Sequence, residues 1–194
     1  RDTSVTGVQT CALPISRELG VLDDSIKKGL LKYKGVERRF QYHGVFSTNS
    51  GKEFKLIDDY GHHPTEIKVT LEACKQAFPN QKILLVFQPH RFSRTRDLFE
   101  EFIKVLSEVN SLILLPVYAA GEDEIIGTDS KTLARSIRIL KKVNPFVVSN
   151  ETEAMDMIFS ILDSGDVLLL MGAGSVSKLT NLIKNEVERG GYDK

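Results

Sequence analysis

Three short stretches hold much of the unusual side-chain chemistry of this 194-residue chain. In DDYGHHPTEI, Asp58 to Ile67, two carboxylates, a tyrosine and two histidines follow an apolar run and precede a helix-period segment. Neighbouring His62 and His63 point in different directions and have no HxxxH or Cys/His partners, which argues against a zinc site. His63, ahead of Pro64 with Glu66 just inside, suits a helix cap. His62, in the loop, fits either a ligand contact or a satisfied structural histidine. Asp58 and Asp59 fit either a solvated acidic turn or an acceptor for a ribose hydroxyl.

The second stretch, PHRFSRTR, places Arg91, Arg94 and Arg96 in a loop before a helix expected to start near Asp97. Guanidinium groups beside a helix N-terminus make a local anion site suited to bidentate capture of carboxylate or phosphate. The alternative is a charged surface loop. The third stretch, MGAGSVSK, looks like a dinucleotide fingerprint, but Ser177 stands where the third glycine would be and the motif follows the last strand. It reads instead as a tight turn bringing backbone N–H groups and Ser175 to a ligand, which disfavours NAD. There is no GxSxG elbow and no GxxxxGK[ST] phosphate loop, and Cys74 falls on an apolar helix face.

The elements that must position these stretches alternate. Short apolar runs, FKLIDDY, KILLVF, SLILLPV, PFVVS and DVLLLM, are separated by segments with apolar residues three to four apart: Ile67, Leu71, Cys74, Phe78, and then Leu98, Phe102, Val105, Val109. That is a βαβ series. Strands without period-2 alternation are covered on both faces, so the sheet is expected to be mostly parallel in a three-layer, Rossmann-like α/β domain. Ligands in such sheets bind outside the carboxyl ends of the strands, where DDYGHHPTE, QPHRFSRTRD, YAAGEDE and GAGSVSK all fall.

Upstream, Leu22, Ile26, Leu30 and Leu31 predict a helix that Gly35 stops, followed by an extended exit through Arg39 and Phe40. STNSGKE, Ser47 to Glu53, reads as a linker or hairpin at a domain boundary. The chain begins with Arg1, as expected of a piece of something longer. Residues 1–16, RDTSVTGVQTCALPIS, resemble translated sequencing-adapter sequence and are read as foreign to the fold, the alternative being a genuine strand and turn.

Lys plus Arg equals Asp plus Glu at 26 each, so no overall field draws nucleic acid or an anionic membrane. Cys11 and Cys74 have neither disulfide-scaffold nor zinc spacing, which fits a reducing cytoplasm. No apolar run approaches a membrane span.

Together RRF at Arg38 to Phe40, DDYGHHPTEI, FQPHRFSRTRDLFEEF, PVYAAGE and GAGSVSKL resemble the C-terminal part of the Mur ligase family, and within it the members that add L-alanine. The resemblance runs from about Leu19 to Val187. It implies ATP-dependent ligation of L-alanine to UDP-N-acetylmuramate in peptidoglycan precursor synthesis, through an acyl phosphate. Residues 17–46 would be the end of the central ATP-binding domain and 47–194 the C-terminal domain. Arg39 and Asp59 would contact nucleotide, Tyr60 and His62 would shape the amino-acid pocket, Arg91 and Arg94 with His90 would hold the alanine carboxylate, and Ser175 would add a further contact. ATP with Mg2+ is implied, but the phosphate loop, the Mg2+ ligands and the UDP-sugar domain have no counterpart here, so no catalytic residue is assigned and the chain alone is expected to be inactive. A muropeptide-recycling sibling shares HHPT without the arginine loop. A non-catalytic nucleotide-binding module is the alternative from another class.

Overall fold

The computed structural model describes residues 14–32 and 36–190. The opening 1–13 with Cys11, and the expected helix stop at Gly35, lie outside the described residues. By internal contacts the chain divides into two compact units, Arg1–Val36 and Glu37–Lys194. The first unit contains helix α1, Asp23–Lys32, which buries Ile26.

The second unit holds one sheet with the strand order β1-β2-β6-β3-β4-β5. The strands are β1 Gln41–Ser47, β2 Glu53–Asp59, β3 Ile83–Phe87, β4 Ser111–Leu114, β5 Phe146–Val147 and β6 Val167–Met171. Among the described residues only the β1–β2 pair is antiparallel, and STNSGKE forms its hairpin. The pairs β2–β6, β6–β3, β3–β4 and β4–β5 are parallel. The expected mostly parallel, Rossmann-like α/β sheet is therefore present.

Strand periodicity explains the layers. Ile83, Leu85 and Phe87 of β3 and Val167, Leu169 and Met171 of β6 enter one apolar cluster, with α2 (Pro64–Ala77), α4 (Phe99–Leu106) and α5 (Ser130–Ile139) over it. The alternate residues Leu84, Val86, Leu168 and Leu170 enter a second cluster under α6 (Glu151–Ile161) and α7 (Lys178–Glu188). Successive side chains leave opposite faces of a strand, so an unbroken apolar run is what a sheet covered on both faces requires.

Helix α2 starts as its sequence indicates. His63 is the N-cap and accepts from Thr65 N–H, Glu66 returns the capping-box bond to the His63 N–H, and Pro64 occupies the first turn. Its buried stripe is Ile67, Thr70, Leu71 and Cys74.

Two local expectations are corrected. The chain does not leave α1's unit in an extended exit: Arg38 and Phe40 have φ of 57° and 45°, forming a tight turn in place of a strand lead-in. Phe40 N–H is held there by the Asp59 carboxylate at 2.7 Å. Nor is Arg94 in a loop before a helix at Asp97. A short helix α3, Phe92–Asp97, already contains Arg94 and Arg96, and α4 follows after Leu98. Nothing in FSRTRD has apolar periodicity, because this helix is held from its N-terminus by another loop, described below.

Candidate functional site

The loops after β2, β6, β3 and β4 all open at the carboxyl edge of the sheet, and rings connect three of them. Tyr60 meets His62 edge-on at 5.4 Å between centroids, His62 lies 5.6 Å from His90, and His90 stacks on Tyr118 at 5.4 Å with planes 15° apart. His62 Nδ1 lies 3.1 Å from the Tyr60 carbonyl, to which it can donate. Arg94, one helical turn after His90, donates to the His90 carbonyl at 2.9 Å and approaches its Nδ1 at 3.2 Å. Burial first, then the neighbouring His62, Arg94 and Arg91, hold the His90 pKa below its ordinary value, so the ring is neutral at pH 7 and Nδ1 accepts.

Of the three arginines, Arg91 and Arg94 stay with this cluster. Arg91 is the residue before α3, with φ 73°, and its Nη1 is 3.6 Å from Glu122. Arg96 is exposed and pairs with its own neighbour Asp97 at 2.7 Å, so the candidate anion site keeps two of the three guanidinium groups.

Arg39, Asp59 and Tyr60 line a separate cleft of about 380 Å3 against the first turns of α2, with Thr65, Glu66 and Val69. Asp59 is buried, and both its oxygens accept backbone bonds, from Gly61 N–H and Phe40 N–H, each at 2.7 Å. It therefore holds the Arg38–Phe40 turn against the β2 loop and sets where Arg39 emerges. Each carboxylate oxygen retains a second lone pair for a hydroxyl donor.

Ser175 opens the 3-10 turn after β6. Its Oγ accepts from Gln88 Nε2 at 3.2 Å, while Gln88 Oε1 accepts from Val176 N–H at 2.9 Å. A Cβ on Gly174 would stand 2.7 Å from the Tyr118 ring, so the glycine lets this turn close on the ring ladder.

Four residues assigned no role from the sequence organise the site. Gln88 ties the β6 turn to β3, Tyr118 backs His90, and Glu122 holds Arg91 and Ser93. Arg38 pairs with Asp58 at 3.3 Å, donates to the Gly172 carbonyl and lies 5.1 Å over the Tyr60 ring. Asp58 is thus a structural partner; burial, only partly opposed by Arg38, raises its pKa. The available signal for Gln88 was a polar residue closing a five-residue buried strand on the ligand edge. Burial, with a smaller contribution from Asp59, pushes the Cys74 thiol up to about 12, so it is no nucleophile. Among the described residues no group of three or more His, Cys, Asp or Glu is placed to hold a metal ion, and no helix is long and apolar enough to cross a membrane.

The site can hold a carboxylate by two arginines, with the neutral His90 imidazole beside it and a cleft one loop away. The family model "Mur ligase, glutamate ligase domain" matches residues 38–174. UDP-N-acetylmuramate–L-alanine ligase of Nitrosomonas europaea is 50% identical over 167 residues, 86% of this chain and 35% of that protein. The enzyme of the same name from Nitrosomonas eutropha is 46% identical over 168 residues, covering 87% and 36%. The chain thus spans about a third of the length of these relatives. Among solved structures, a UDP-N-acetylmuramate-alanine ligase from Thermotoga maritima aligns over 91% of this chain and 36% of its own with TM-score 0.66 and 25% identity. A murein peptide ligase from Psychrobacter arcticus, at 16% identity and TM-score 0.62, covers 98% and 39% and shares the fold.

Proposed function

The chain belongs to the Mur ligase family, and from that premise we propose that it is the amino-acid-binding C-terminal part of an ATP-dependent, cytoplasmic ligase joining L-alanine to UDP-N-acetylmuramate in peptidoglycan precursor synthesis. The observation that carries this reading is the convergence of Arg91 and Arg94 with His90, His62 and Tyr60 at one sheet edge, beside the cleft of Arg39 and Asp59.

Each group has a task in that reaction. Arg91 and Arg94 bind the alanine carboxylate through charge-assisted bonds and so aim its amine. Neutral His90 accepts from Arg94 through Nδ1 and so helps to orient that guanidinium, and Tyr60 and His62 close the pocket to a small side chain. Arg39 and Asp59 face the nucleotide, which activates the muramoyl carboxylate as an acyl phosphate for attack by the amine. The residues present fit one side of a nucleotide site, and under this reading Mg2+ would be held by the central ATP-binding domain. Holding the amine at the acyl carbon is a gain of position, and excluding water protects the activated carboxylate from hydrolysis. Under this reading the end of the central ATP-binding domain stops before Glu37, ten residues earlier than the expected boundary at 46, because β1 Gln41–Ser47 pairs within the C-terminal sheet, and residues 1–16 are foreign.

The test joins this chain from Leu19 onward to the upstream part of the Nitrosomonas europaea relative and follows amide formation from UDP-N-acetylmuramate, L-alanine and ATP. Alanine-dependent product from the joined protein, and none from the 194-residue chain, is the expected result. ATP binding without product and without any response to alanine would instead support a non-catalytic nucleotide module.

A further inference from the structure

We infer that Glu122 is a positioning residue for the carboxylate clamp, anchoring the start of α3 and setting the direction of the Arg91 guanidinium. The inference rests on the reading of Arg91 and Arg94 as that clamp.

Helix α3 begins without a cap of its own: Arg91 stands at the N-cap position with φ 73° and no side-chain capping bond. The free N–H groups of a first turn need acceptors. Glu122 supplies them from the loop after β4, 29 residues further along the chain: one carboxylate oxygen accepts from Ser93 N–H at 3.0 Å, and the other from Ser93 Oγ at 2.6 Å. The Oγ-bound oxygen also stands 3.6 Å from Arg91 Nη1. The Ser93 hydroxyl bond first, then the Ser93 backbone bond and Arg91, hold the Glu122 carboxyl below its usual range, so it is charged whenever the clamp would be in use.

The arrangement separates anchoring from binding. A carboxylate bonded only to Arg91 would compete with a ligand carboxylate for the same guanidinium. Because Glu122 is held independently by Ser93, it fixes one edge of Arg91 and leaves the remaining donors of the fork free, on a side chain that is 49% exposed. The same two loops are joined by Arg91 N–H to the Tyr118 carbonyl and Tyr118 N–H to the Pro89 carbonyl, each 2.8 Å, and by the His90–Tyr118 stack. Glu122 thus completes a clasp in which Arg91's backbone and side chain are both set from the loop after β4.

The experiment compares E122A, E122Q, R91A and the E122A/R91A double variant in the joined ligase, measuring KM for alanine and for ATP, kcat and a melting curve. E122A is expected to raise the alanine KM about tenfold with the ATP KM changed less than about twofold. E122Q keeps an acceptor for Ser93 but loses the ion pair and falls between. In the R91A background E122A should add less than about twofold, because its effect passes through Arg91. An unchanged alanine KM in E122A, or effects of E122A and R91A that multiply in full, would overturn the assignment. Should E122A not fold, the E122Q series decides by the same criteria. Absence of alanine-dependent product in the unsubstituted protein would count against the proposed function and not against Glu122.

Discussion

Gln88 Oε1 accepts a hydrogen bond from Val176 N–H at 2.9 Å, joining the end of β3 to the turn after β6 across 88 residues of chain. The same amide's nitrogen lies 3.2 Å from Ser175 Oγ. Gln88→Ala therefore strands a buried backbone donor and frees the Ser175 turn. A loss of about 1–3 kcal/mol is expected, read from denaturant unfolding; a change within the scatter of surface substitutions, about 0.5 kcal/mol, would refute the role.

Gly172 is a second control on that turn. Its φ is 141°, and a Cβ there would lie 2.7 Å from the backbone oxygen of Gln88. Backbone cannot retreat as a side-chain tip can, so Gly172→Ala should cost more than an ordinary overpacking change, at least about 1–3 kcal/mol. It should also displace the carbonyl to which Arg38 donates. Equal melting temperatures for variant and parent would contradict this.

Arg94→Ala in the joined ligase is expected to cost about 1.5–3 kcal/mol in alanine binding, roughly ten- to 150-fold, with ATP affected much less. Arg94→Lys should recover part of the loss, because an ammonium keeps the charge without the planar fork. Parallel losses for alanine and ATP, with a lower melting temperature, would mark Arg94 as structural through its bonds to His90.

Acid should weaken the fold through His90. Its folded pKa is depressed, by burial first and then by His62, Arg94 and Arg91. As pH falls below about 6.5 the unfolded chain takes up a proton that the folded ring still refuses. Stability that is full above that pH therefore declines until the folded ring titrates too. His43 acts in the same sense, through burial and then Lys184. Melting curves between pH 5 and pH 7.5 should show a smaller acid decline for His90→Gln than for the parent. Identical slopes would dismiss the contribution of His90.

Cys74 is buried and its thiol is pushed up to about 12. A thiol that is neither exposed nor ionised reacts slowly. Peptide-resolved alkylation of the native protein at pH 8 should leave Cys74 unmodified until denaturant is added. Prompt native labelling would mean that α2 does not pack as described.

The sequence by itself determined whatever depends on neighbouring residues. The His63–Pro64–Glu66 helix start was legible because a capping box spans four positions. The double-sided sheet was legible because unbroken apolar strands report burial on both faces. The ligand edge was legible because polar loops followed strand after strand. Only tertiary structure decided which of those loop residues act together. It kept Arg91 and Arg94 with His90 and left Arg96 with Asp97. It turned Asp59 toward the backbone of Phe40 and Gly61, and set Arg38 between Asp58, Gly172 and Tyr60. Helix α3 escaped prediction because its cap, Glu122, comes from another loop. A hydrogen bond spanning 29 or 88 residues leaves no local periodicity or spacing in the chain; it exists only once the parallel crossovers have brought the carboxyl ends of β3, β4 and β6 side by side.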